Sequence, residues 1–376
     1  MGGILSSIPF RTATVRESVP FHGFLRQLMQ QRQFPKGLSS IPFRTATVRE
    51  SVPFHGFLMQ LVQQPHSSGS TSYNQSFSML KDTLRRAAWH VYQRLSPQAP
   101  IAETLPPMPR YDEICDFLRS LDMPDEGNRN YLNIHLDRFA VTLSLVPPPQ
   151  RSGRVLELGA YMQMTPALQC VLGYTGVRGA YYGPIGRSDR KQSTINGKVV
   201  FECNVDLFDA EKDRYPYDDS SFECVLACEI FEHLLHDPMH LLLECRRILD
   251  DHGTLILTTP NIASVTAVAR VLEMSENPQL YSKYADPRGE YADTEVGHMR
   301  EYMPHELTEA LRAAGFEVQC LFTKNAPGYH SQEWVLEILR ELKYPTQLRG
   351  EQMYCVAQKV PGAQVVRYPG FLYEGC

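Results

Sequence analysis

Arg154-Val155-Leu156-Glu157-Leu158-Gly159 is a short apolar strand that ends in an acid and a glycine. Phe222-Glu223-Cys224-Val225-Leu226-Ala227-Cys228 and Gly253-Thr254-Leu255-Ile256-Leu257-Thr258-Thr259 read as two more strands. Between these last two lies the clearest helix in the chain, Met239–Leu249. Asp237 is a good N-cap for it, Pro238 suits the first turn, and Gly253 lies shortly beyond the end. Arg246 and Arg247 stand near the negative end of the helix dipole. Short apolar strands that alternate with helices mark a parallel α/β sheet.

Outward from this core the pattern continues over residues 152–323, with a helix at about 164–172 and strands near Val177–Tyr182 and Val199–Asp206. After Asn261 a helical stretch runs to Met274, followed by an irregular segment with Tyr281, Tyr284 and Tyr291, whose aromatics suit an ordered lid. A helix over Pro304–Ala314 stops at Gly315, and Phe316–Phe322, Glu333–Leu342 and Gln352–Val360 read as strand, helix and final strand. Upstream, residues 76–146 are helical, including amphipathic stretches at Tyr111–Leu121 and Tyr131–Leu145, and they read as a cover ahead of the larger domain. Residues 5–25 recur unchanged at 38–58, an offset of 33 residues. Two copies broken by prolines and a glycine are too few for a solenoid and read as a disordered tandem duplication. The expected organisation is a duplicated segment over 1–70, a helical cover over 71–150, an α/β domain over 151–360 and a tail over 361–376.

The formal charge of −5 over 376 residues argues against a nucleic-acid partner. No apolar run approaches about 18 residues, so no integral membrane segment is expected. Pro9, Arg11 and Arg16 interrupt any leader-like stretch, and a cytoplasmic protein is the default. Nine cysteines without a C-x-x-C pair read as free thiols, with Cys224 and Cys228 on one face of their strand. His233, His236 and His240 look like helix-spaced metal ligands, but a cap at Asp237 leaves His236 outside the helix that carries His240. No metal is therefore expected.

The ordered motifs resemble class I S-adenosylmethionine-dependent methyltransferases. They are the acid and glycine of Glu157–Gly159, Asn204-Val205-Asp206-Leu207, Tyr215-Pro216-Tyr217-Asp218-Asp219-Ser220-Ser221-Phe222, Cys228-Glu229-Ile230-Phe231-Glu232-His233, and His298-Met299-Arg300-Glu301-Tyr302. Quinone-biosynthesis and sugar-modifying methyltransferases are the most similar in pattern. The resemblance covers about residues 130–360 and implies a Rossmann-like seven-stranded sheet of order 3-2-1-4-5-7-6, its last strand antiparallel. It implies S-adenosyl-L-methionine as cofactor. Glu157, Gly159 and the adjoining Ala160 would hold its methionine part, Asp206 and Leu207 its adenine, and Cys228 and Glu229 would run alongside it.

Two positions depart from the family pattern. Tyr161 and Gln163 stand where further glycines are usual, and Tyr181-Tyr182-Gly183 stands where an acid would bind both ribose hydroxyls. A lost charge-assisted contact costs roughly 1.5–3 kcal/mol unless something replaces it. These departures motivate the alternative of a degenerate fold that binds or regulates without catalysis.

Methyl transfer asks mainly for alignment and exclusion of water, and an oxygen nucleophile also gains from a base. His298 and His233 are the candidate bases, with Arg300, Tyr302 and Tyr291 as candidate substrate-orienting groups. The bland readings are a brace at the strand-4 turn for His233 and a surface loop for His298. The expected acceptor is a small molecule, methylated on an oxygen of a sugar, phenol or lipid-linked intermediate. Oligomeric state is not legible in the sequence.

Overall fold

The computed structural model describes residues 106–282, 297–325 and 332–374. The duplicated segment, Tyr284 and Tyr291 lie outside them. Every described residue belongs to one compact unit, His90–Cys376.

The elements are α1 (Tyr111–Ser120), α2 (Glu126–Ser144), β1 (Arg154–Leu158), α3 (Thr165–Cys170), β2 (Gly176–Tyr181), β3 (Arg187–Ile195) and β4 (Lys198–Leu207). They continue as β5 (Phe222–Cys228), a 3-10 turn (Phe231–His233), α4 (Pro238–Ile248), β6 (Leu249–Pro260) and α5 (Val265–Glu273). The last are α6 (Pro304–Ala313), β7 (Phe316–Lys324), α7 (Glu333–Glu341) and β8 (Gln352–Lys359). One eight-stranded sheet runs β3-β4-β2-β1-β5-β6-β8-β7. Without β3 this is the expected order, and β8 is antiparallel to both neighbours.

The extra strand is the one element of the sheet that the sequence reading lacks. Arg187–Ile195 is polar and largely exposed, so it carries neither an apolar run nor a clean alternation. Its turn is nonetheless legible: Asn196 and Gly197 have φ of 51° and 75°, the left-handed pair that joins hairpin strands. A charged strand at the sheet edge also discourages pairing with another chain.

The Asp237 cap holds. Its side chain accepts from the His240 backbone N–H, and Pro238 begins α4. On one sheet face α4 and α6 bury Leu241, Leu242, Leu307 and Leu311 against Leu156, Val225 and Leu257. On the other, α1, α2 and α3 bury Leu118, Phe139 and Leu168 against Val155, Leu226 and Ile256. Each such fully buried apolar side chain stabilises the fold by roughly 1.5–3 kcal/mol. The described cover helices therefore share one core with the sheet.

Segment 361–374 is clasped to that core. Val366 donates its N–H to Ala313 O at 2.8 Å, Tyr373 donates to Asp237 at 2.6 Å, and Arg367 pairs with the same carboxylate. The eight described cysteines are free, and Cys224 and Cys228 pack against the same cluster, on one face as expected. Among the described residues no helix is long and apolar enough to cross a membrane.

Candidate active site

Strands β2, β1, β5 and β6 are parallel neighbours, and β4 runs parallel beside β2, so their carboxyl ends share one edge. Open α/β sheets bind ligands outside that edge.

At the end of β1, Glu157 is buried and its Oε2 has no hydrogen-bond partner. Burial raises its pKa to about 7 against the opposing pull of Thr165. An orphaned carboxylate oxygen behind this edge fits a ligand's ammonium group, which would supply the missing donor. Gly159 follows with φ +67°, a conformation that suits glycine, and a Cβ there would meet Ile230 Cδ1 at 3.3 Å. Ala160 donates its N–H to Ala180 O at 2.9 Å, which ties the loop to β2. Gly179 leaves the room: a Cβ on it would lie 2.8 Å from Ala160 Cβ.

The two departures from the family pattern meet in space. Tyr181, at the end of β2, donates to the Tyr161 hydroxyl at 2.8 Å, and the rings touch edge-on at 5.0 Å. Gln163 is buried and faces Asn128 of α2. Asp206 is buried on β4, where it pairs with Arg178 at 3.1 Å and accepts from the Tyr217 hydroxyl at 2.9 Å. Leu207 closes β4 beside it.

At the end of β5, burial pushes the Cys228 thiol well above its usual range, so it is a neutral, unreactive wall. Glu229 has φ +53°, left-handed backbone that a non-glycine residue holds only under local constraint. The constraint is visible. Glu229 Oε1 accepts from Thr258 at 2.7 Å and Gln352 at 2.6 Å, while Oε2 pairs with Arg138 at 2.5 Å. Burial alone would depress the Arg138 pKa, but the Glu229 carboxylate reverses this and raises it. Arg138 comes from α2, and its Nε is buried without a partner. Sequence reasoning misses both Arg138 and Gln352, because nothing in a helix pattern or a final strand says which side chain reaches a strand end.

Glu232, His233 and His298 gather just beyond. The two imidazoles meet edge-on with centroids 4.8 Å apart, and each Nε2 lies 4.0 Å from Glu232 Oε1. His298 Nδ1 is 3.0 Å from the buried Glu301 carboxylate, and its ring contacts Tyr281 at 4.8 Å. One carboxylate oxygen and one nitrogen from each ring lie within 4.8 Å of one another, a grouping able to hold a metal ion. His236 and His240 take no part: the His236 N–H donates to Glu211, and His240 Nε2 faces Asp213 O at 2.8 Å.

Tyr302 and Arg300 are held by contacts of the fold. Tyr302 is 1% exposed, its ring centroid 4.6 Å from that of Phe231 in the core. Arg300 pairs with Glu306 at 2.6 Å and lies over the Tyr302 ring. Tyr291 lies outside the described residues. An open cavity of about 350 Å³ between Arg154, Arg178 and Tyr217 sits toward the starts of β1 and β2, away from this edge.

In comparisons with solved structures, the chain is similar to a SAM-dependent methyltransferase from Archaeoglobus fulgidus, at 18% identity and TM-score 0.37, covering 62% of this chain and 100% of that one. It is also similar to one from Thermotoga maritima, at 19% identity and TM-score 0.37, covering 61% and 94%. A third, from Mesorhizobium loti, has 13% identity and TM-score 0.34, covering 60% and 98%. No curated protein matches the sequence significantly. Residues 133–321, half of the chain, match the family model described as a methyltransferase domain. The chain therefore belongs to the methyltransferase-domain family and is a class I S-adenosylmethionine-dependent methyltransferase.

Proposed function

We propose that the enzyme methylates an oxygen of a small-molecule acceptor, a sugar, phenol or lipid-linked intermediate. The observation that carries this reading is the His298–Glu301 pair at 3.0 Å, set beside His233 at the turn that follows β5. A neutral hydroxyl is a weak nucleophile, and an imidazole oriented by a carboxylate lowers the cost of removing its proton.

S-adenosylmethionine, when bound, supplies a methyl group already activated by its sulfonium. The protein's part is to orient and enclose. In this reading Glu157 takes the ammonium on its orphaned oxygen, and Gly159 and Ala160 let backbone approach the methionine part. Asp206 and Leu207 border the adenine end, with Asp206 held in place by Arg178 and Tyr217. Cys228 and Glu229 form the wall between cofactor and acceptor, Glu229 locked by Arg138, Thr258 and Gln352. The mild acidity of the chain supports a small molecule over a nucleic acid as acceptor.

The test is methyl transfer from radiolabelled cofactor to a panel of sugars, phenols and amines, with the product's methylated atom assigned by NMR. An O-methyl product is expected, with kcat reduced roughly 10²–10⁴-fold in His298→Ala and S-adenosylhomocysteine affinity unchanged. Label on nitrogen or carbon, or full kcat in His298→Ala, overturns the reading.

A further inference from the structure

We propose that Glu232, His233 and His298 form a binding site for one divalent first-row metal ion, open on the side where the acceptor's oxygen atoms arrive. The proposal deepens the reading of these histidines as the acceptor end of the site and rests on it. The cation would then take the imidazole lone pairs and acidify the acceptor hydroxyl itself, in place of proton removal by a free imidazole.

Glu232 is completely buried. Its Oε2 accepts from Thr259 at 2.9 Å, but its Oε1 has no hydrogen-bond partner. A buried carboxylate oxygen left without a donor costs several kcal/mol unless a cation or proton donor joins it. Nε2 of His233 and Nε2 of His298 each stand 4.0 Å from it, beyond hydrogen-bond reach. Glu301 accepts from the Leu280 and Tyr281 N–H groups at 2.9 and 3.0 Å, and His298 Nδ1 lies 3.0 Å from the same carboxylate. These contacts fix the His298 ring with Nε2 turned toward Glu232. Glu232 Oε1 and His298 Nε2 face each other across 4.0 Å, and His233 Nε2 stands equally far from the same oxygen.

A carboxylate behind a ligating imidazole is the usual outer support of a metal site, and Glu301 provides it. The segment is also tied down. Met299 and Arg300 donate their N–H groups to Glu232 O at 2.8 and 3.2 Å, which holds His298 against the 3-10 turn. Donors at about 2.1 Å from an ion lie about 3.4 Å apart at a tetrahedral angle, so ligand atoms that lie within 4.8 Å of one another need close by up to about 1.4 Å. Two imidazoles and one carboxylate suit Zn²⁺, Mn²⁺, Fe²⁺ or Co²⁺ better than Ca²⁺ or Mg²⁺, which favour all-oxygen shells. Three protein ligands leave positions open, as in sites that bind a reactant rather than a purely structural ion. The matching acceptor presents one or two oxygen donors, such as adjacent hydroxyls.

The probe is Co²⁺ alone, titrated into the full chain after chelator treatment and read by its visible ligand-field absorption. Saturation at one equivalent is expected. His298→Asn and Glu232→Gln should lose it. His233→Asn, at a partly exposed ring, should weaken it at least tenfold, with an unchanged circular dichroism spectrum as the control for folding. Glu301→Gln should weaken it by about 10–100-fold, the usual range for an outer partner. His236→Asn should bind as the wild type does. Absence of saturable binding, or unchanged binding in both His233→Asn and His298→Asn, overturns the proposal. S-adenosylhomocysteine is titrated into the same preparations. Its binding without Co²⁺ binding removes the metal site and leaves the cofactor reading, whereas Co²⁺ binding without it supports the metal site and removes the cofactor reading.

Discussion

At Glu157, burial holds the carboxyl protonated up to a pKa of about 7, against 4.5 in the unfolded chain. The folded state therefore binds the extra proton between these values. This group's contribution to stability is present below pH 4.5 and is lost as pH rises through 7. A ligand ammonium prefers the ionised form, so binding releases that proton. Affinity for S-adenosylmethionine should rise by up to about tenfold per pH unit from pH 6 toward 7 and level off above, and Glu157→Gln should flatten the profile. Titration calorimetry at several pH values measures this, and a flat wild-type profile contradicts it. Gly159→Ala should cost about 1–3 kcal/mol in chemical denaturation, through its left-handed backbone and the contact with Ile230. The place of these two residues at the end of β1 was legible in the sequence, because both lie in one unbroken strand-acid-glycine run. The burial of Tyr302 was not legible: its motif position gives no sign that the ring packs in the core.

The elements meet at the carboxyl end of β5, where α2, β6 and β8 each send one side chain to Glu229. Arg138→Met leaves the Glu229 charge without its cation. The pair is largely buried, with side-chain exposures of 15% and 19%, so the single change should cost about 2–4 kcal/mol. Adding Glu229→Gln should recover part of that loss, and denaturant titrations of both variants decide it. Equal stabilities for Arg138→Met and the double variant speak against a coupled pair. Hydrophobic period and caps disclosed the strands and helices one by one, α4 most clearly, through Asp237, Pro238 and its two arginines. They could not disclose contacts between elements distant in sequence. His233 and His298 stand 65 positions apart in the numbering, and only strand order and the turn after β5 bring them together. The polar β3 escaped for a different reason: an edge strand without a buried face carries little hydrophobic pattern.

For the molecule as a whole, the family match over 133–321 and the compact unit over His90–Cys376 place the chemistry downstream of the duplicated segment. A chain that begins at residue 71 should bind S-adenosylhomocysteine as the full chain does; loss of binding with an unchanged circular dichroism spectrum would assign the repeat a role in the site. The end of the chain is a different case, because Arg367 and Tyr373 grip the cap of α4. Tyr161 and Tyr181 stand where the family pattern has a glycine and an acid, and we infer from this that the methionine end carries most of the recognition of the cofactor. Titration calorimetry of S-adenosylhomocysteine into the full wild-type chain and into Glu157→Gln tests this most directly. One saturable site in the wild type, weakened at least about tenfold in Glu157→Gln, is the predicted result. No heat of binding to the wild type at high micromolar ligand, or equal affinity in the two proteins, contradicts the account.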